Sequence, residues 1–276
     1  MLEIPESRVI SAQLSQTITG KTIQKVAANT SAHKFAFYTG DPESYPALLV
    51  GKKIDAVAPI AGQIEISAGD IKLVFSDGVN VRYFSPGDSA PEKHQLRLDF
   101  QDGSFIVCTI QMYGFLAAFQ EGTSDNPYYL VAREKPSPLT DAFDQPYFDN
   151  MLAEAKKTLS VKALLATEQR IPGLGNGVLQ DILFNARINP RTRLDTLTRD
   201  EKARLFQNIK STLMEMTALG GRDTEKDLFG NAGGYRTKLS NKTLDKPCPV
   251  CGGRIVREAF LGGNVYTCPA CQPVKK

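Results

Sequence analysis

An α+β fold is predicted, in two parts: one helix with an antiparallel β-sandwich or barrel, then a helical half ending in a hairpin pinned by four cysteines. Three patterns predict it. Between Thr22 and about Phe119, apolar residues alternate at period two in short runs, the mark of half-buried antiparallel strands. From about Pro146 the spacing changes to the threes and fours of helices. Near the end of the chain, Cys248, Cys251, Cys268 and Cys271 form two Cys-x-x-Cys pairs. The expected parts are a β-rich domain over 1–122, a linker over 123–140, a helical domain over 141–242 and the cysteine hairpin over 243–276.

The first element is a helix in which Ile10, Leu14 and Ile18 repeat at spacings of four, stopped by Gly20. Pro5 suits a first helical turn, where its missing N–H has no helical partner to lose, and Glu6 complements the positive end of the helix. Glu3 lies just outside the helix, and helix formation does not explain it. The strands follow, with Phe35 and Phe37, Ile64 and Ile66, Val81 and Tyr83, and Leu96, Leu98 and Phe100 on alternating positions. Asp77-Gly78 and Asp102-Gly103 read as hairpin turns, and Gly69-Asp70 as a weaker one. Pro91-Glu92-Lys93-His94 precedes a strand; a histidine beside a lysine is ordinarily a solvated pair. Cys108 lies in an apolar run, as a packed core thiol.

Thr123 to Thr140 is rich in proline, serine and aspartate and marks the domain boundary. A helix is expected from about Pro146, with Phe148, Leu152, Ala155 and Leu159 on one face. In Ser160 to Pro190, Val161, Leu164, Leu165 and Glu168 step along a second helix that Ile171-Pro172-Gly173 breaks. Gly175-Asn176-Gly177 then opens a third near Val178, carrying Leu179, Ile182, Leu183 and Ala186. Such a turn either supplies positive φ angles alone or presents backbone N–H groups and a helix dipole to an anion such as phosphate. Thr198 with Glu201 forms a capping box for a long helix lined by Leu205, Ile209, Leu213 and Met216 and closed by Gly220-Gly221. The glycine-rich loop after it carries arginine, lysine and Tyr235; loops of this kind hold a phosphate or an extruded base, but more often are simply solvated.

Composition narrows the class. Hydrophobic residues make up 42% and charged residues 23%, an ordinary globular balance, and the formal charge of +3 gives no bulk argument for nucleic acid. No apolar run is long enough to cross a bilayer and the N-terminus has no signal-like core, so a cytoplasmic protein is expected. A monomer is expected as well. In a reducing compartment two Cys-x-x-Cys pairs 16 residues apart suit one tetrahedral zinc better than disulfides. Four thiolates close the coordination sphere, so that zinc is structural.

Gln169, Gly173, Gly175, Asn176, the helix after them and Asn189-Pro190 resemble the helix-two-turn-helix of the formamidopyrimidine-DNA glycosylase and endonuclease VIII family. The order of helix, β domain, two-turn motif and zinc hairpin extends that resemblance over nearly the whole chain. It implies a DNA-repair protein of damaged double-stranded DNA. Asn176 and the Gly175 turn would grip a phosphate, with Lys93 and His94 facing the backbone and the tip of the zinc hairpin also meeting DNA. Family enzymes use an N-terminal proline amine to attack the sugar C1′, form a Schiff base and nick the strand, with a glutamate shuttling protons. By that likeness Glu3 and Glu6 are the catalytic candidates.

Four positions depart from the family pattern. Leu2 stands where the nucleophilic proline belongs, and a bulky second residue is expected to leave Met1 in place. Gly62 occupies the place of a phosphate-binding lysine. Gln111-Met112-Tyr113-Gly114 replaces an arginine-bearing motif that fills the gap behind an extruded base; Met112 and Tyr113 are the wedge candidates in its stead. Gly262-Gly263-Asn264 lacks the hairpin arginine. The expected activity is therefore a DNA N-glycosylase with doubtful AP-lyase action, the alternative being a non-catalytic module for damaged, bent or branched DNA.

Overall fold

The computed structural model describes residues 1–275. They divide into two compact units, Met1–Arg133 with Gly220–Gly233, and the rest, from Glu134 to Leu219 and from Gly234 onward.

The first unit begins with α1 (Ile4–Ile18), which has Pro5 in its first turn and buries Ile10, Leu14 and Ile18. Its N-cap is Glu3, in extended backbone and with no side-chain capping bond, so the carboxylate is directed elsewhere. After it come β1 (Ile23–Ala28), β2 (Ala36–Thr39), the short helix α2 (Tyr45–Leu49), β3 (Ala56–Ile60), β4 (Gln63–Ala68), β5 (Ile71–Phe84), β6 (Leu96–Phe100), β7 (Phe105–Gln120) and α3 (Pro127–Glu134). The strands join in the order β1-β6-β7-β5-β4-β3, antiparallel throughout. β2 lies parallel along the second half of β7. The long strands β5 and β7 thus serve both halves of the sheet. Both halves bury one core, in which Ile64, Leu73 and Phe75 share a cluster with Val81, Leu98, Ile106 and the α1 residues. Cys108 is fully buried in it, as expected.

Gly69-Asp70 and Asp102-Gly103 do turn the chain between β4 and β5 and between β6 and β7. The hairpin expected at Asp77-Gly78 is not formed. β5 runs through it, with Asp77 paired to Gly114 and Val79 to Ile110, so Gly78 alone opposes Gln111, Met112 and Tyr113. Three residues against one make a bulge. Glycine is required at its base because a Cβ on Gly78 would lie 2.3 Å from the Tyr113 carbonyl oxygen. Asp77 has φ 58°, a left-handed conformation that Asp and Asn tolerate better than other side chains.

Two features depart from the expected division of the chain. Residues 127–134, inside the stretch read as a linker, form α3, whose Tyr129 hydroxyl and Arg133 both bond the buried Glu65 carboxylate. Residues 220–233, read with the helical half, belong to the first unit. There Leu228 enters the β core, its carbonyl accepts the Tyr83 N–H, and its own N–H donates to Gln13 of α1.

The second unit contains α4 (Gln145–Glu154), α5 (Val161–Ala166), α6 (Asn176–Ala186), α7 (Arg199–Ala218) and the hairpin of β8 (Val256–Phe260) and β9 (Gly263–Thr267). α4 buries Phe148, but Leu159 falls beyond its end. α5 is shorter than its periodicity suggests and excludes Glu168, which with Gln169 takes a positive φ. The cause is side-chain competition for the end of the helix: the Thr167 hydroxyl and the Arg170 guanidinium both donate to the Ala163 carbonyl. α6 begins at Asn176 and buries Val178, Leu179, Ile182, Leu183 and Ala186. The capping box at Thr198 and Glu201 forms at the head of α7.

Candidate functional site

Charge is concentrated where the chain starts. The Leu2 side chain is 6% exposed and belongs to the β core, while its N–H donates to the Asp77 carbonyl at 2.6 Å. The Met1 amine ion-pairs with Glu225. Glu3 and Glu6 are both buried, and between them sits the guanidinium of Arg222, itself 2% exposed. Arg222 reaches Glu3 through Nη1 at 3.5 Å and bonds Glu6 through Nε at 2.9 Å and Nη2 at 2.8 Å, and its backbone N–H adds a third bond to Glu6. Burial alone would lower the guanidinium pKa, but the charges of Glu3 and Glu6, helped by Glu225, reverse that and raise it. Arg222 therefore stays charged, and both Glu6 oxygens are committed to it. The glycine-rich loop is not a solvated basic loop at this point. Nor is Tyr235 exposed to a base, since it is 2% exposed.

Within β7, the bulge leaves Met112 and Tyr113 outside the paired register with β5, 63% and 41% exposed. Burial raises the Tyr113 hydroxyl pKa, and the nearby Asp77 and Glu3 carboxyl groups add to it. Burial likewise pushes the Asp77 carboxyl above the ordinary carboxylate range, against a 3.0 Å bond from the Ser76 hydroxyl. Gly62 sits in the turn from β3 to β4, next to Ala61, whose carbonyl accepts the Ser7 hydroxyl of α1 at 2.5 Å. Lys93 is exposed, and His94 is held by its backbone, with its N–H on the Ser31 hydroxyl and its carbonyl accepting from Thr30.

In the second unit the Gly175-Asn176 turn heads α6, but the Asn176 amide does not point into solvent. Its Nδ2 donates to the Asn264 carbonyl of the zinc hairpin at 2.9 Å, and Gln180 of α6 donates to the same oxygen at 3.1 Å. Lys162 of α5 donates to the Phe260 carbonyl across the hairpin tip. Burial, then the neighbouring Arg191, lowers its ammonium pKa. The turn and the hairpin are thus one bonded assembly. At the base of the hairpin, the Sγ atoms of Cys248, Cys251, Cys268 and Cys271 all lie within 4.8 Å of one another. A tetrahedron of Zn–S bonds of about 2.3 Å has edges of roughly 3.8 Å, and the Cys248 to Cys271 separation is 3.8 Å. The four thiolates fit one zinc.

Residues 135–227 match the family described as the formamidopyrimidine-DNA glycosylase H2TH domain, and residues 245–274 match the zinc finger found in FPG and IleRS. A formamidopyrimidine-DNA glycosylase of Lactobacillus delbrueckii subsp. bulgaricus is 31% identical over 280 residues, covering 99% of both chains. This chain belongs to the formamidopyrimidine-DNA glycosylase family. The crystal structure of the MutM (Fpg) protein from Thermus thermophilus superposes with a TM-score of 0.82 at 25% identity, over 99% of this chain and 100% of that one. The Lactococcus lactis Fpg in complex with DNA containing an abasic site shares the fold, with a TM-score of 0.82 at 24% identity, over 98% and 99% of the two chains.

Within this family fold the zinc is structural, and its removal has a defined consequence. The cluster of Phe184, Leu239, Cys248, Ile255 and Cys268 is too small to hold the hairpin without metal. Because Asn176 and Gln180 are bonded to that hairpin, Cys268→Ser is expected to lose the metal, loosen the two-turn motif and weaken duplex binding about tenfold. Metal content and duplex affinity measured on the same preparations check this. A variant that keeps one equivalent of zinc would refute the ligand set.

Two features of this glycosylase fold escape a reading of the sequence. Arg222 looks there like one more cation of a loop, and its partner Glu6 lies 216 residues away. Asp77 looks like a turn former. The one available signal is that apolar alternation continues on both sides of Asp77-Gly78, which a hairpin would interrupt. Among the described residues, no helix is long and apolar enough to cross a membrane.

Proposed function

We propose that this chain is a cytoplasmic, monomeric DNA glycosylase of damaged duplex DNA that releases the base by hydrolysis, without an efficient strand-nicking step. One observation carries the reading. Glu3, which the resemblance makes the acidic group of the site, is buried and paired with Arg222, while the side chain of Leu2, at the position the resemblance gives the nucleophile, belongs to the core. The remaining terminal amine, on Met1, lies one residue before the position of the nucleophile and is engaged by Glu225. Relatives named formamidopyrimidine-DNA glycosylase over the full length support the reaction class, and a relative's complex with DNA containing an abasic site supports the substrate class.

In this reading Glu3, held as a carboxylate by Arg222, takes a proton from the water that attacks C1′. Glu6 positions Arg222 and does not touch the substrate. Met112 and Tyr113 enter the base stack, Lys93 and His94 approach the backbone, and the Gly175-Asn176 turn at the positive end of α6 meets a phosphate. With its side chain already on Asn264, Asn176 contributes mainly through the turn backbone.

The test is a panel of duplexes carrying oxidised purines, oxidised pyrimidines, uracil or alkylated bases, with borohydride trapping on abasic duplex run in parallel. Base release from at least one duplex and no covalent adduct are expected. A trapped adduct would restore the amine mechanism. Preferential binding of distorted duplex with no base released from any substrate would replace this reading with a non-catalytic module for damaged, bent or branched DNA.

A further inference from the structure

Asp77 sits where the two long strands fall out of step. Its backbone is left-handed, its carbonyl accepts the Leu2 N–H, and its partner on β7 is Gly114, beside the exposed Tyr113. Asp77 is half-buried, and its carboxyl group accepts a hydrogen bond from the adjacent Ser76 hydroxyl. The other ionisable groups here are the Tyr113 hydroxyl on β7, the Met1 amine and Glu3 at the chain start, and Arg222 and Glu225 of the 220–233 segment. All but Tyr113 are joined in ion pairs with one another. The 2.6 Å bond from the Leu2 N–H to the Asp77 carbonyl sets Asp77 beside the residue that precedes Glu3, and Glu3 has a cation, Arg222, as its partner where Asp77 has the Ser76 hydroxyl. Two carboxyl groups in such different surroundings divide the roles of acid and base.

We infer that Asp77 is the general acid of this site, giving its proton to the departing base while Glu3 receives one from water. The inference rests on the hydrolytic reading above. The C1′–N bond breaks with its electron pair going to the base nitrogen. The Asp77 proton goes to the base, which leaves neutral. Water then bonds to C1′ and its proton goes to Glu3, and proton exchange with solvent restores both groups. The products are the free base and a sugar hydroxyl, with no other reactant needed. Burial raises the Asp77 pKa, so a larger fraction of the acid is available near neutral pH than an exposed aspartate would supply.

A purely structural role would also suit an aspartate at positive φ, and Asp77→Asn separates the two. Asn tolerates that backbone equally well and keeps the shape, so the variant is expected to fold and to bind duplex containing an uncleavable abasic analogue as wild type does. Release of neutral oxidised bases should fall about 10²-fold or more. Release of N7-methylguanine should change little, because a base that is already cationic leaves without protonation. Wild-type release of neutral bases should decline as pH rises through the Asp77 pKa, and Asp77→Asn should lack that limb. Wild-type rates and an unchanged pH profile in Asp77→Asn would overturn the assignment and leave the hydrolytic reading intact. So would an equal loss on neutral and cationic bases, or a loss of binding alongside it. A wild-type protein that bound these duplexes and released no base would overturn both.

Discussion

Glu3→Gln is expected to slow base release by about 10²–10⁴-fold, the range for removing a positioned general base, while leaving DNA binding close to wild type. The substitution removes one charge and no volume. Arg222 keeps its three bonds to Glu6, so the loss should fall on the chemical step and not on the fold. Single-turnover base release beside affinity for a duplex with an uncleavable abasic analogue separates the two. Equal rates for Glu3→Gln and wild type would remove Glu3 from the mechanism.

Arg222→Met should be the most destabilising single substitution at this site. It leaves Glu3 and Glu6 buried at 3% and 4% exposure without their shared cation. Breaking a buried ion pair from one side costs about 3–5 kcal/mol, because the remaining charge keeps its desolvation penalty and loses its partner. Urea unfolding of the variant against wild type measures it. Arg222→Lys should recover part of the loss, since lysine restores the charge but cannot reproduce the forked contact with Glu6. If Arg222→Met unfolded at the wild-type midpoint, the ion-pair cluster would contribute nothing to stability, and its effect on Glu3 would be in question as well.

The two substitutions separate roles that the motif alone joins. Glu3 and Glu6 look alike from sequence, two glutamates around a proline. In the fold, Glu6 gives both carboxylate oxygens to Arg222, whereas Glu3 caps α1 without a capping bond and shares the same guanidinium at longer range. Hence Glu6→Gln should act mainly through stability.

What the sequence determined by itself is what short-range chemistry specifies. Cys248, Cys251, Cys268 and Cys271 announce a zinc site because metal geometry limits ligand spacing. Thr198 and Glu201 announce the start of α7 because a capping box closes within one turn. Leu2, visible in the first two letters, stands where the family resemblance places a nucleophilic proline. Tertiary structure decided the rest. Asp77-Gly78 carries a strong hairpin signal, but β7 offers pairing partners on both sides of it, and a bulge that keeps those bonds prevails over local turn preference. The bond from the Asn176 amide to a hairpin carbonyl 88 residues later has no signature in its glycine-rich turn. The meeting of Arg222 with Glu3 and Glu6 has no local signature at all. Ion pairs between residues more than two hundred positions apart depend on how the 220–233 segment returns to the first unit, and no local pattern of residues encodes that return.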